Sequence, residues 1–222
     1  MKGKRIMVKV IVELVFILDR SGSMEGLETE TIGGYNAMIE KQKKQEGKTL
    51  VTTILFNNEY QRLTFRTPIK EVRPLTGHEY FPRGRTALLD AIGQTIHQIA
   101  LKQKEDEVDR RPTKTVFVII TDGLENASTH FTTPIIKEMI SYEEREYGWE
   151  FMFLGANFEV FSVTDQLGIR RTRAARYARR QEAVYLNYSE VGNTINRMRR
   201  GEAVGDEWKE NIDALFDKKG DE

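Results

Sequence analysis

The chain has 222 residues, enough for one domain with a full hydrophobic core. Lys plus Arg and Asp plus Glu balance at 34 each, so no global field draws it toward nucleic acid or anionic lipid. With no cysteine, disulfides, thiol nucleophiles and Cys-ligated metals are excluded, and a reducing compartment fits.

The chain opens on a basic "MKGKR", and the apolar stretch Ile6 to Leu18 follows, interrupted by Lys9 and Glu13. It falls short of the roughly 20 apolar residues that a membrane helix needs. It also runs directly into an aspartate rather than a small-residue cleavage site, so a cytoplasmic chain with no membrane segment is expected. Val8 to Leu18, "VKVIVELVFIL", predicts the first strand. "LVTTILF" from Leu50, "TVFVIIT" from Thr115 and "WEFMFLG" from Trp149 predict three more. Most are continuous apolar runs, the mark of strands buried on both faces in a parallel sheet. "YQRLTFR" alternates instead and follows the second strand after only "NNE", which predicts a hairpin and an antiparallel edge strand.

Helical stripes fall between the strands. Leu27, Thr31, Tyr35, Met38 and Gln42 mark one, and Leu88, Ile92, Ile96 and Ile99 mark another. Further helices are expected over about 134–147 and 159–167. The alternation predicts a doubly wound α/β sheet, mostly parallel, with one antiparallel edge strand and helices on both faces; such sheets bind ligands at the carboxyl ends of their strands. After Gly168 the composition shifts to "RRTRAARYARR", residues 170–180, with arginine at 170, 171, 173, 176, 179 and 180 and no acid. A closing helix is expected from Ser189, and Trp208, Ile212, Leu215 and Phe216 predict a short amphipathic helix that docks on the body. The expected division is a domain over 1–189 and a helical extension over 190–222.

Candidate chemistry concentrates where strands end. Asp19, Ser21 and Ser23 stand at alternate positions after the first strand, Thr86 lies in "RGRTALLDAI" at a helix start, and Asp122 lies in "ITDGLENAS" at another strand end. Oxygen-only donors, several of them neutral hydroxyls, suit a hard cation better than zinc. Capping of the following helix by Asp19, Ser21 or Ser23 is the competing reading, as is a plain turn at Asp122 and Gly123.

"DRSGSM", the "GRT" loop followed by "ALLDAI", and "TDG", in that order, resemble the metal-ion-dependent adhesion site of a von Willebrand factor type A domain. The resemblance runs from about Val8 to Gly168. It implies a Rossmann-like fold and a non-enzymatic domain with no catalytic residues. It also implies Mg²⁺, with Mn²⁺ or Ca²⁺ as alternatives, held by Asp19, Ser21, Ser23, Thr86 and Asp122. Ser21 and Ser23 would bind directly, Thr86 directly or through water, and both aspartates largely through water; Gly22 and Gly123 would permit tight turns. The partner implied is a protein that supplies a carboxylate. Since two carboxylates just balance a dication, the ion keeps its affinity for one more anionic oxygen, and Arg20, Arg83 and Arg85 would favour an acidic partner if they surround it.

Other classes have weaker support. The Asp19 segment resembles the haloacid dehalogenase phosphatases in having an aspartate at a strand end. The position two residues on, which in that family is an acid/base aspartate, is here Ser21. There is no G-x-S-x-G elbow and no G-x-x-x-x-G-K-[ST] loop. The arginine run is a candidate phosphate binder, but a solvated face or charged sheet edge is the commoner use, and nucleic acid is not the expected partner. A scaffold with a purely structural metal is the remaining alternative. Asp90 and Glu125 are nearby acids, read as helix surface and loop, and His78, His97 and His130 show no ligand spacing.

Overall fold

The computed structural model of the chain describes residues 10–156 and 159–217. The basic start, residues 8 and 9 of the expected first strand, and the charged tail after Asp217 lie outside the described residues. The strands are β1 (Ile11–Asp19), β2 (Lys48–Phe56), β3 (Tyr60–Pro68), β4 (Lys114–Thr121), β5 (Glu150–Gly155) and β6 (Ala174–Arg176). They form one six-stranded sheet in the order β3-β2-β1-β4-β5-β6. Only the β2–β3 pair is antiparallel, as the alternating "YQRLTFR" predicts.

The apolar runs divide by parity. In β1, Val12, Leu14, Phe16 and Leu18 enter one core while Val15 and Ile17 enter the other; β4 divides its Val116, Val118 and Ile120 from Phe117 and Ile119 in the same way. The helices complete the two layers. The helices α1 (Glu28–Lys43) and α5 (Gln181–Arg199) cover the first core, and α2 (Leu88–Glu105), α3 (Thr133–Tyr147) and α4 (Val160–Leu167) the second. The strands β1, β2, β4 and β5 therefore bury both of their side-chain rows, which is why their sequences show no alternation, whereas the edge strand β3 is only half-buried. Among the described residues no helix is long and apolar enough to cross a membrane.

Glu13, which interrupts the first apolar run, is fully buried in β1. It faces Arg66 Nε at 2.9 Å and accepts a hydrogen bond from Gln103 Nε2 at 2.9 Å. Burial pushes its carboxyl pKa up, against the pull of Arg66. Arg66 reaches inward because β3 is irregular there: its φ is +49°, and its N–H donates to Thr52 Oγ1 rather than to the ladder.

The C-terminal third differs from expectation in detail. A short strand, β6, lies inside the arginine run, and α5 begins at Gln181 rather than Ser189, so residue 189 falls within one continuous helix. Both halves of that helix bury side chains, among them Val184, Tyr188, Val191 and Ile195, in the core that α1 also covers. The last helix, α6 (Glu210–Asp217), follows a single turn holding Trp208. Trp208 is 4% exposed and donates from Nε1 to the Thr172 carbonyl at 2.8 Å, so this segment docks on the body.

Because Trp208 is buried against the body, Trp208→Ala is expected to lower the stability of the whole chain by roughly 3 kcal/mol in urea denaturation, within one cooperative transition. An unchanged main transition preceded by a separate minor one would show that the C-terminal segment folds as an independent unit.

Candidate metal centre

The sheet order places β1 beside β4 while β2 leaves on one side and β5 on the other, so the switch point of the doubly wound sheet lies at the carboxyl ends of β1 and β4. Asp19 closes β1, and Asp122 follows the last residue of β4. Asp19 is 1% exposed, with Oδ1 accepting the Ser21 N–H at 2.6 Å and Oδ2 accepting the Thr121 hydroxyl at 2.6 Å. Tyr80 holds the loop from below, donating to the Asp19 carbonyl at 2.6 Å. These bonds fix the carboxylate in one orientation.

Helix capping is not what these side chains do. The residue ahead of α1 is Leu27, with no side-chain cap, and Ser21 does not cap the short turn Gly22–Met24 either. Instead the Ser21 and Ser23 hydroxyls lie 3.0 Å apart. Thr86 joins them, and Gly123 shows how closely. A Cβ built on Gly123 would collide with Thr86 Oγ1 and stand 3.0 Å from Ser23 Oγ and 3.2 Å from Ser21 Oγ. The hydroxyls of two distant loops thus surround one small volume beside the Asp122 backbone. Gly123 is required for space and not for a left-handed turn, since its φ is not positive.

Backbone bonds stitch the loops together. Gly22 N–H donates to the Gly84 carbonyl at 3.1 Å and Arg83 N–H to the Arg20 carbonyl at 2.9 Å. Thr86 N–H donates to Asn126 Oδ1 at 3.0 Å, and Asn126 N–H returns a bond to the Thr86 carbonyl at 3.0 Å. Glu125 accepts from the Leu89 N–H at the start of α2, and from Ala127 and Ser128. Asp90 accepts from the N–H groups of Thr129, His130 and Phe131. Both acids therefore act as loop staples rather than as further donors to the site. Sequence reasoning passed over Asn126, Thr121 and Tyr80; the adjacency of Asn126 to "TDG" was the available signal.

Two of the arginines stand elsewhere than the sequence suggested. Arg20 is buried, bonds Gln61 Oε1 at 2.5 Å and lies 3.5 Å from Glu59; Arg83 shares Glu59 at 3.0 Å. Both stack on Phe81, at 5.7 and 4.8 Å from its centroid. They brace the second loop against the β2–β3 hairpin. Arg85, next to Thr86, is exposed.

The arginine run is likewise engaged. Arg170 and Arg173 pair with Glu150, Arg171 with Asp165, and Arg180 donates to the Leu215 carbonyl, while Arg176 stacks on Phe161 and Phe216. Arg179 reaches the site itself, its Nε 2.6 Å from Asp122 Oδ2. Each of the six guanidinium groups thus meets a partner within the chain.

Among the described residues no three His, Cys, Asp or Glu side chains gather as a metal cluster. The donor set here is different in kind: two carboxylates and three hydroxyls, all hard oxygens. That set, with the space Gly123 leaves among the hydroxyls, fits a small divalent cation such as Mg²⁺ or Mn²⁺. The carboxylates carry the corresponding electrostatic cost. Burial raises the Asp19 pKa against the bonds from Thr121 and Ser21; burial also raises that of Asp122, opposed by Arg179 and reinforced by Asp19.

The architecture is that of von Willebrand factor type A domains. Mfa5, a type V pilus tip protein of Porphyromonas gingivalis, has a vWF domain that superposes with a TM-score of 0.60 at 12% identity, over 85% of this chain and 96% of that one. Proximal thread matrix protein 1 of the mussel byssus, solved with a zinc-occupied MIDAS motif, gives 0.59 at 14% identity, over 85% of this chain and 46% of that one. The manganese-loaded TRAP protein of Plasmodium vivax gives 0.52 at 16% identity, over 80% and 72%. The chain spans less than half the length of the mussel protein. No family model and no curated protein matches the sequence.

The crowding at Gly123 predicts that Gly123→Ala lowers Mn²⁺ affinity about tenfold or more and also lowers metal-free stability by about 1–3 kcal/mol, because the added methyl collides with Thr86, read by calorimetric titration and thermal melts. The raised carboxyl pKa values predict a pH dependence whose sign is fixed. Protons compete with the cation, so affinity rises as pH climbs from the ordinary aspartate range through the raised values, then levels. In chelator the same groups hold protons that the unfolded chain releases, so their contribution to stability falls over that window. A Mn²⁺ affinity that stays flat from about pH 4 to pH 7 would contradict the assignment of the two aspartates.

Proposed function

We propose that the chain is a divalent-cation-dependent protein-binding module, non-enzymatic, in which Asp19, Ser21, Ser23, Thr86 and Asp122 hold Mg²⁺ or a similar ion. The observation that carries this reading is the meeting of the Ser21, Ser23 and Thr86 hydroxyls around Gly123, beside two carboxylates at the switch point of the sheet. The mussel protein's zinc-occupied motif and the manganese-loaded parasite protein, on the same fold, support a metal here. The bound ion would supply a Lewis-acidic position for an anionic oxygen. The hydroxyls would hold it as neutral donors, and the aspartates would balance its charge without saturating it. A partner carboxylate is then the natural further ligand, and exposed Arg85 beside Thr86 favours an acidic one.

An enzymatic reading has no comparable support, because Ser21 stands where a phosphatase of the aspartyl type would place its proton donor. The cytoplasmic setting belongs to the proposal and rests on the cysteine-free sequence.

The test is capture of partners in magnesium and again in chelator, with Asp19→Ala and Thr86→Ala as controls. Both variants should lose the magnesium-dependent fraction, and partners retained equally in chelator would argue for a structural metal instead. Arg85→Glu is expected to weaken capture several-fold, most strongly at low salt, with Mn²⁺ affinity preserved. Turnover of a generic phosphoester that is lost on Asp19→Asn would replace the binding module with an enzyme.

A further inference from the structure

Arg179 stands in the turn between β6 and α5, on backbone that is fixed on both sides. Tyr177 and Ala178 before it are buried, with the Tyr177 N–H bonded to the Gly155 carbonyl at 3.0 Å. Arg180 after it holds the Leu215 carbonyl at 2.7 Å. From that anchored turn the Arg179 guanidinium crosses to the metal face. Its Nε meets Asp122 Oδ2 at 2.6 Å, and its Nη2 donates to the Ser23 carbonyl and, at 3.1 Å, to the Glu25 carbonyl. One guanidinium thus bridges the first and third loops of the site, with one of its contacts on a proposed metal-holding carboxylate. Asp122 is nearly buried, with its side chain 6% exposed, whereas Arg179 is half-exposed at 47%.

The charges can be summed. Asp19 and Asp122 contribute two negative charges and Arg179 one positive, so a dication bound among them leaves the site with a net charge of +1 instead of zero. Like charge opposes entry of the cation, and the same excess attracts an anion to the loaded site. We infer that Arg179 shifts affinity from the cation to the anionic ligand, so that the site fills with cation and carboxylate together rather than with cation alone. This rests on the metal site proposed above. It assigns Arg179 as a specificity-determining residue of that site, and Asp122 as the group through which it acts.

The experiment uses the full chain, stripped with chelator, and Mn²⁺ as probe. Titration calorimetry gives the Mn²⁺ affinity, and acetate at constant ionic strength, titrated into the Mn²⁺-loaded protein, gives the anion affinity. Arg179→Ala should bind Mn²⁺ about tenfold more tightly and acetate about tenfold more weakly than the parent. Arg179→Lys keeps the charge but not the bridge to the two loop carbonyls, so it should fall between the parent and Arg179→Ala on both. A purely structural arginine would move both affinities in one direction, and its loss would lower the melting temperature alike in chelator and in Mn²⁺. The charge argument instead predicts a lower melting temperature for Arg179→Ala in chelator and a larger gain from Mn²⁺. Equal or weaker Mn²⁺ binding by Arg179→Ala, or acetate binding that is not weakened, overturns the inference. A parent protein that binds no Mn²⁺ overturns the metal site itself, which is a separate result.

Discussion

Two aspartates brought together at the ends of neighbouring parallel strands set the terms for the rest of this face. Burial raises the electrostatic cost of both Asp19 and Asp122, and the charge of Asp19 adds to that of Asp122. Parallel β1 and β4 necessarily end on the same side, so the topology that makes the sheet also makes the conflict. The protein answers with oriented donors. Thr121 and the Ser21 amide hold Asp19, Arg179 holds Asp122, and the hydroxyls of Ser21, Ser23 and Thr86 gather alongside. A site with this much arranged polarity and only two acids is suited to an ion that needs a further ligand.

Much of this was legible in the sequence because the signals are local. An apolar run that ends in Asp19 fixes the strand end, and the alternate spacing of Ser21 and Ser23 in a non-helical turn allows both hydroxyls to share a side. Thr86 ahead of a helical stripe and Asp122 after an apolar strand follow the same logic. The parallel sheet and its antiparallel edge were legible for a similar reason: continuous apolar runs imply double burial, and the one alternating run, "YQRLTFR", is the antiparallel edge strand.

What the sequence concealed depends on pairings across the fold. The arginine run reads as one block of charge, yet its members turn to different partners: Glu150 takes Arg170 and Arg173, Asp165 takes Arg171, and Asp122 takes Arg179. Those acids lie in other elements, so no window of sequence shows the neutralisation. The strand β6 was hidden because three residues, Ala174–Arg176, carry no periodicity. Arg20 and Arg83 were close in sequence to the proposed ligands but turn toward Glu59 and Phe81, because the hairpin, which only folding brings near, offers an acid and an aromatic face. Sequence proximity to a site is thus a poor guide to which charges it feels.

The solved structures compared above share this fold at 12 to 16% identity, so the scaffold constrains little about what the loops do. Function has to be read from the side chains at the switch point and from what ties them to the body. Here that tie is unusual in being adjacent in sequence. Arg179 bridges the first and third loops, while Arg180, the next residue, grips the carbonyl of Leu215 in α6 and precedes the first turn of α5. The polar face at the carboxyl ends of β1 and β4 and the docking of the C-terminal helices are therefore anchored by consecutive residues of one short turn.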